Sequence, residues 1–193
     1  HEFYLDLGLP PTDVKKKVQI GDMVVIDEPL IRMGDTVVSQ ALDDRIGCWV
    51  LIRALEKLKT HKCEVFAVFT VQEEVGLRGA GPAAFGIQPD ISLAIDTTLC
   101  CDTPGVSDDM HINKLGEGVA LKVMDGSMIS DLGVLESLKK VGDKKKIRYQ
   151  VSLLPRGGTD SGAIQRTAGG VRVVSLACPL RHIHTVTEIA SWS

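Results

Sequence analysis

Glu73 and Glu74 stand side by side after an almost wholly apolar run, Val65-Phe-Ala-Val-Phe-Thr-Val71. The run is rich in β-branched and aromatic residues, which predicts a strand covered on both faces. Two adjacent carboxylates at the end of such a strand repel each other unless a cation or a proton holds them. For an isolated pair, a solvated turn is the plain reading. Three further groups change the weighing. Asp43 heads a helical pattern, Asp96 closes the run Ile91-Ser-Leu-Ala-Ile-Asp96, and His184 follows the last strand pattern in Leu180-Arg-His-Ile-His-Thr185. Taken singly, each is mundane. Asp43 reads as a helix N-cap, Asp96 as a turn cap, and His184 as a loop histidine with His182 competing for the same place. Taken together, they all fall where the chain leaves a sheet, and ligands of open α/β sheets bind there.

So many carboxylates in one crevice cannot stay ionised without a cation. Oxygen-rich sites with an imidazole suit zinc, cobalt or manganese. One carboxylate of the glutamate pair can hold a metal while its neighbour, left free, takes a proton from water. Other hydrolytic signatures are missing: there is no His-Glu-x-x-His helix and no Gly-x-Ser-x-Gly elbow. The stretch Arg156-Gly-Gly-Thr-Asp-Ser-Gly162 is glycine-rich but lacks the lysine of a phosphate-binding loop. Paired carboxylates also cleave glycosidic bonds, so a carbohydrate hydrolase is the rival reading. It explains Glu73 and Glu74 but leaves Asp43, Asp96 and His184 without work.

The elements that would position these groups follow from periodicity. Residues 1–38 form short alternating runs broken by Gly, Pro and Asp, with a turn at Pro10-Pro11, which predicts a small β-rich unit. Residues 43–59 place Ile46, Val50, Leu51, Ala54, Leu55 and Leu58 on one helical face. Strands are expected at 64–72, 91–96, 119–124, 147–153 and 171–177. Helices are expected near 79–85, 130–141 and 158–168. This alternation predicts an α/β body with a mostly parallel sheet flanked by helices. The stretch 97–118 reads as a long irregular loop.

Composition narrows the setting. A chain of 193 residues fits one domain, or one domain and a piece of another, and 44% apolar content supports a core. A net charge of −3 gives no electrostatic case for nucleic acid or a membrane surface. No apolar run is long enough to span a bilayer. Five cysteines, an odd number without a regular framework, predict a reduced, cytoplasmic setting.

The motifs Ala41-Leu-Asp-Asp-Arg-Ile-Gly47, Gln72-Glu-Glu-Val-Gly76, Ile95-Asp96 with Asp102-Thr-Pro-Gly105, Gly157-Gly-Thr-Asp-Ser161, and Arg181-His-Ile-His-Thr185 with Glu188 occur in that order. In combination they resemble the di-metal aminopeptidases of the glutamyl aminopeptidase, deblocking aminopeptidase and tetrahedral (TET) peptidase family, members of which are also described as endoglucanase-like. The resemblance runs from Gly34 onward. It implies a metal-dependent aminopeptidase with two divalent ions, zinc or cobalt, acting on peptides. By position, Asp43 matches the carboxylate that bridges the ions, Glu73 the general base, Glu74 and Asp96 ligands of single ions, and His184 the closing ligand. Asp160 matches a motif near the site without a direct role. The resemblance also implies a homo-oligomer, built on dimers and reaching a dodecamer. It makes residues 1–38 part of an inserted β-rich domain and residues 39–193 an incomplete catalytic domain. One departure is plain: the family's first metal-binding histidine lies in a His-x-Asp segment, and His1, His61 and His111 do not stand in that context. A non-catalytic homologue lacking one metal site is therefore a further alternative.

Overall fold

The computed structural model describes residues 4–192. In chain order the elements are α1 (Pro11–Lys17), β1 (Ile31–Met33), β2 (Thr36–Ser39), α2 (Leu42–Lys57), α3 (Ala80–Ile87), β3 (Ile91–Leu99), β4 (Val119–Met124), α4 (Leu132–Lys145), β5 (Tyr149–Leu153), α5 (Asp160–Gln165), β6 (Arg172–Arg181) and β7 (Glu188–Ser191). The described strands form one sheet. β6 is its axis: it carries Val173, Val174, Ala177 and Leu180 at full or near-full burial, and α2, α4 and α5 all pack against it. β3 runs parallel to β6 over nine residue pairs, from Ile91–Arg172 to Leu99–Leu180. β4 and β7 pair antiparallel with β6. β5 extends β4 in parallel, and β2 then β1 extend β7 antiparallel.

The α/β class expected from the alternation holds, with one open sheet flanked by helices. The sheet is mixed, however, instead of mostly parallel. Connection length explains much of the difference. Only Gly34 and Asp35 separate β1 from β2, and residues 182–187 separate β6 from β7. A parallel crossover needs about a dozen residues or more, so both pairs must be antiparallel.

Two local expectations are overturned. Residues 18–30 carry no strand, and Pro11 opens a helix instead of a turn. Proline at the first helical position has its φ preset and no amide to leave unpaired. Asp13 in the first turn and Lys15, Lys16 and Lys17 in the last complement the helix dipole. Strands do form at 31–33 and 36–39. The part of the expected N-terminal run that falls on residues 1–3 lies outside the described residues. The second correction concerns 64–71. This segment makes no ladder with any described strand, and Val65, Phe66, Val68, Phe69 and Val71 are exposed. Its composition fits a buried strand, but a strand is a property of a pair, and composition does not supply the partner.

Packing is local to each helix. Leu121, Leu135 and Val174 join α4 to the sheet. Val37, Leu42, Leu180 and Ala190 seat the start of α2 on β2, β6 and β7. Asp131 caps α4 by accepting from the Val134 amide at 2.9 Å, and Arg172 grips the same carboxylate at 2.9 and 3.0 Å. No helix among the described residues is long and apolar enough to cross a membrane.

Candidate metal centre

Three chain segments, together with Asp96 on β3, deliver the carboxylates and the imidazole. The first is the entry to α2. Ala41 takes a left-handed conformation, and Asp43 and Asp44 are non-helical inside the first turn, with a cis peptide between them. Asp44 does the capping: its Oδ1 accepts from the Gly47 amide at 3.0 Å. Asp43 is thereby released from the helix terminus. The second segment is a tight turn after residue 71. Gln72 and Leu77 are left-handed, and the Glu73 carbonyl accepts from Gly76 and Leu77 at 3.0 and 2.8 Å. The third is the loop 182–187, which leaves the end of β6 and carries His184.

These segments converge. His184 Nε2 lies 3.0 Å from Asp43 Oδ2 and 3.2 Å from Glu74 Oε2. Ligand atoms of Asp43, Glu74 and His184 lie within 4.8 Å of one another, and so do those of Asp43, Asp44 and Asp96. Asp43 belongs to both sets. Asp96 does not close its strand as expected: β3 runs on to Leu99, because residues 97–99 keep their pairing with β6, and the Asp96 carboxylate accepts from the neighbouring Thr97 amide at 2.6 Å. Glu73 lines the same cavity of about 630 Å³, together with Asp43, Glu74, Asp96, Lys122 and His184.

The electrostatics are those of a site short of positive charge. Burial, reinforced by Asp96, Glu74, Asp160 and Asp43, pushes the Glu73 carboxyl up to about 8. Burial and then Asp96 raise Asp44 to about 8 as well. Asp96 rises to about 7, mainly through burial. Glu74 is also raised, by burial and by Asp43 beside it, while His184 pulls the other way. Groups arranged in this way become favourable as anions only when a cation is placed among them. Carboxylate oxygens and one imidazole nitrogen within 4.8 Å form a donor set that suits a divalent transition metal.

Of the residues singled out from the sequence, Asp43, Glu74 and His184 are brought into contact, Asp96 joins Asp43, and Glu73 faces the shared cavity. Among the described residues it is His184 that joins Asp43 and Glu74 in one ligand set; the His182 carbonyl accepts from the Thr185 hydroxyl at 2.6 Å. His61 contacts the Cys63 carbonyl, and His111 lies 3.7 Å from Asp108, so neither joins the acids. His1 lies outside the described residues. Asp160 stands behind the site, where it accepts from the Thr70 hydroxyl. Arg181 grips Asp102 at 2.7 and 2.9 Å, and Asp102 also takes the Leu115 amide at 3.0 Å. The long loop after β3 is therefore tied to the strand that leads into His184.

Sequence reasoning passed over Lys122 and gave no role to Asp44 or Glu188, although both stand in its motifs. Asp44 was hidden by its neighbour, since either aspartate fits a cap. Lys122 occupies an apolar strand pattern, Val-Ala-Leu-Lys-Val-Met, and a lysine at a core position was the available signal. It is 1% exposed, and burial lowers its pKa against the pull of Asp96 and Asp125.

The chain is similar to known proteins. A relative from Acetivibrio thermocellus is 43% identical over 193 residues, covering 100% of this chain and 58% of that protein. An aminopeptidase structure from the archaeon Desulfurococcus kamchatkensis superposes with a TM-score of 0.91 at 38% identity, covering 94% of this chain and 52% of that one. A TET peptidase of Pyrococcus horikoshii, described as assembling into a tetrahedron or a large octahedral shell, gives a TM-score of 0.77 at 32% identity, covering 93% and 53%. The chain spans a little over half the length of these relatives. It matches the family description over residues 1–193, and with acids and imidazole gathered as above, the chain belongs to the M42 glutamyl aminopeptidase family.

Proposed function

We propose that the protein removes N-terminal residues from peptides as a metal-dependent aminopeptidase. The observation that carries this reading is the meeting of Asp43, Glu74 and His184, with Asp96 in reach of Asp43 and Glu73 on the same cavity. Asp43, Glu74 and His184 would hold one divalent ion, and Asp43 with Asp96 would hold a second, zinc or cobalt in each case. When bound, such ions polarise a scissile carbonyl and lower the pKa of water.

The chain's own groups do the rest. Glu73 is half-buried on the shared cavity, and with cations among the acids its carboxylate would be the anion that takes a proton from the attacking water and gives it to the leaving amine. Glu74 points to His184, which keeps the two neighbouring carboxylates on separate tasks. The acids left around the cavity attract the free α-amino group of a peptide. Residues 1–38 would contribute to an inserted domain, and residues 39–193 to the catalytic one. A homo-oligomer is proposed from the assemblies named for the Pyrococcus relative. The five cysteines are free thiols, which supports a reducing compartment such as the cytoplasm.

The test is a metal analysis of the intact protein with a panel of aminoacyl chromogenic substrates, run with and without chelator, beside a β-glucan arm. Hydrolysis of the aminoacyl substrates should vanish on chelation and return with Zn²⁺ or Co²⁺. Turnover that survives chelation, or that is confined to the glucan, overturns the reading.

A further inference from the structure

Glu188 has no part in the chemistry above, yet its side chain is only 2% exposed. Among the described residues it makes no ion pair with a Lys, Arg or His. A carboxylate withdrawn from water is unfavourable unless its oxygens find donors. Here each oxygen finds one. Oε2 accepts the Asp43 amide at 3.0 Å, and Oε1 accepts the His184 amide at 2.8 Å. One side chain thus joins the backbones of two residues whose side chains also meet, through Asp43 Oδ2 and His184 Nε2 at 3.0 Å.

The strand register explains how Glu188 comes to be there. It opens β7 and pairs with Ser39, the last residue of β2. Asp43 follows Ser39 by four positions, and His184 precedes Glu188 by four. The clamp also sits where the chain needs one. His182 and His184 are both left-handed, with φ of +57° and +62°, a conformation that non-glycine residues seldom adopt. The Thr185 hydroxyl on the His182 carbonyl and Ile183 on the core hold the loop as a whole, while Glu188 takes the amide of His184 itself.

We propose that Glu188 is the positioning residue of the metal centre. It sets the spacing between the Asp43 carboxylate and the His184 imidazole by clamping their two amides. The inference rests on the metal-centre reading and not on peptides being the substrate. Glutamine has nearly the same size, but one of its two acceptor oxygens becomes an NH₂ that faces an N–H. Either orientation of the amide therefore breaks one arm of the clamp.

The experiment titrates the metal-free intact protein with Co²⁺, followed by its d–d absorption, in wild type and Glu188→Gln. The Co²⁺ dissociation constant should rise roughly 10- to 100-fold, the range found when partners behind metal ligands are removed. Aminoacyl-substrate turnover lost at low Co²⁺ should return at saturating Co²⁺, with kcat recovering and KM unmoved. A brace for the fold alone would lower the melting temperature and leave the Co²⁺ constant unchanged, and that result overturns the proposal. Should the glutamine variant not fold, hydrogen exchange on wild type decides. Co²⁺ must slow the amides of 40–44 and 182–187 together, and a response confined to one segment overturns the clamp. A wild-type protein that binds Co²⁺ but cleaves no peptide overturns the aminopeptidase reading alone. One that binds no Co²⁺ overturns the metal centre, and the clamp with it.

Discussion

Glu73 and Glu74 are neighbours in sequence with different surroundings. Glu74 is exposed at the rim and reaches His184, while Glu73 is half-buried and faces Asp96 and Asp160. A base must be ionised to accept a proton, and cations among these acids would draw the raised Glu73 carboxyl back down towards the working pH. Glu73→Gln should keep its full metal content by elemental analysis and lose about 10²- to 10⁴-fold in kcat. Turnover close to wild type would remove Glu73 from the base role. Asp43 belongs to both ligand sets, so Asp43→Ala should lose both ions, whereas a loss of one ion or none would contradict its sharing. The identity of these acids was legible in the sequence because carboxylates recur at expected strand ends and at the head of a helical pattern, although Asp96 lies inside β3 and not at its end. The division of labour between Asp43 and Asp44 was not. Which aspartate caps α2 depends on φ and ψ within its first turn, and there Asp44 turns back to Gly47 while Asp43 turns to His184.

The turn that carries the glutamates is fixed by close backbone contact. Gly79 lies against Val71: a Cβ at Gly79 would come within 2.6 Å of the Val71 carbonyl oxygen and 2.7 Å of its nitrogen. Neither is the flexible end of a side chain, so the backbone must move. Gly79→Ala should cost about 1–3 kcal/mol by denaturant titration and lower kcat, because the shift propagates into residues 72–79. Gly81, two residues on and inside α3, has nothing within 4 Å of such a Cβ. Gly81→Ala should stabilise by about 0.5–1 kcal/mol and leave turnover intact, through helix propensity alone. Equal effects from the two substitutions would refute the contact argument. The same distinction governs what periodicity could find. Helices α2 and α4 announced themselves through their own spacing, and β4 was found at its true bounds. Segment 64–71 has the composition of a strand and no described partner, while β7 is a strand that only its pairing with β2 and β6 reveals. Ladders depend on distant residues, and local pattern is silent about them.

Across the whole molecule the net charge is small, but its distribution is not. Asp43, Asp44, Glu73, Glu74 and Asp96 gather at one end of the sheet, and the fold bears their repulsion whenever no cation is present. In the metal-free folded protein Glu73 and Asp44 titrate near 8 and Asp96 near 7, against ordinary values of 4.5, 3.8 and 3.8. Between about pH 4 and pH 8 the folded state therefore holds more protons than the unfolded state, so stability falls as pH rises through that window. Asp102 and Asp131, held down by Arg181 and Arg172, stabilise above their unfolded values near 3.8 and lose that contribution only in stronger acid. They do not mask the slope. The melting temperature of chelator-treated protein should decline from pH 5 to pH 8, and Glu73→Gln should flatten part of that decline. Added Zn²⁺ should raise the melting temperature more at pH 8 than at pH 5, because protons compete with the ion for the same oxygens. A chelated protein whose melting temperature is level across this range, and whose Glu73→Gln variant follows it, would mean that these carboxylates do not share one enclosed field. The grouping around Asp43 would then lose its electrostatic support.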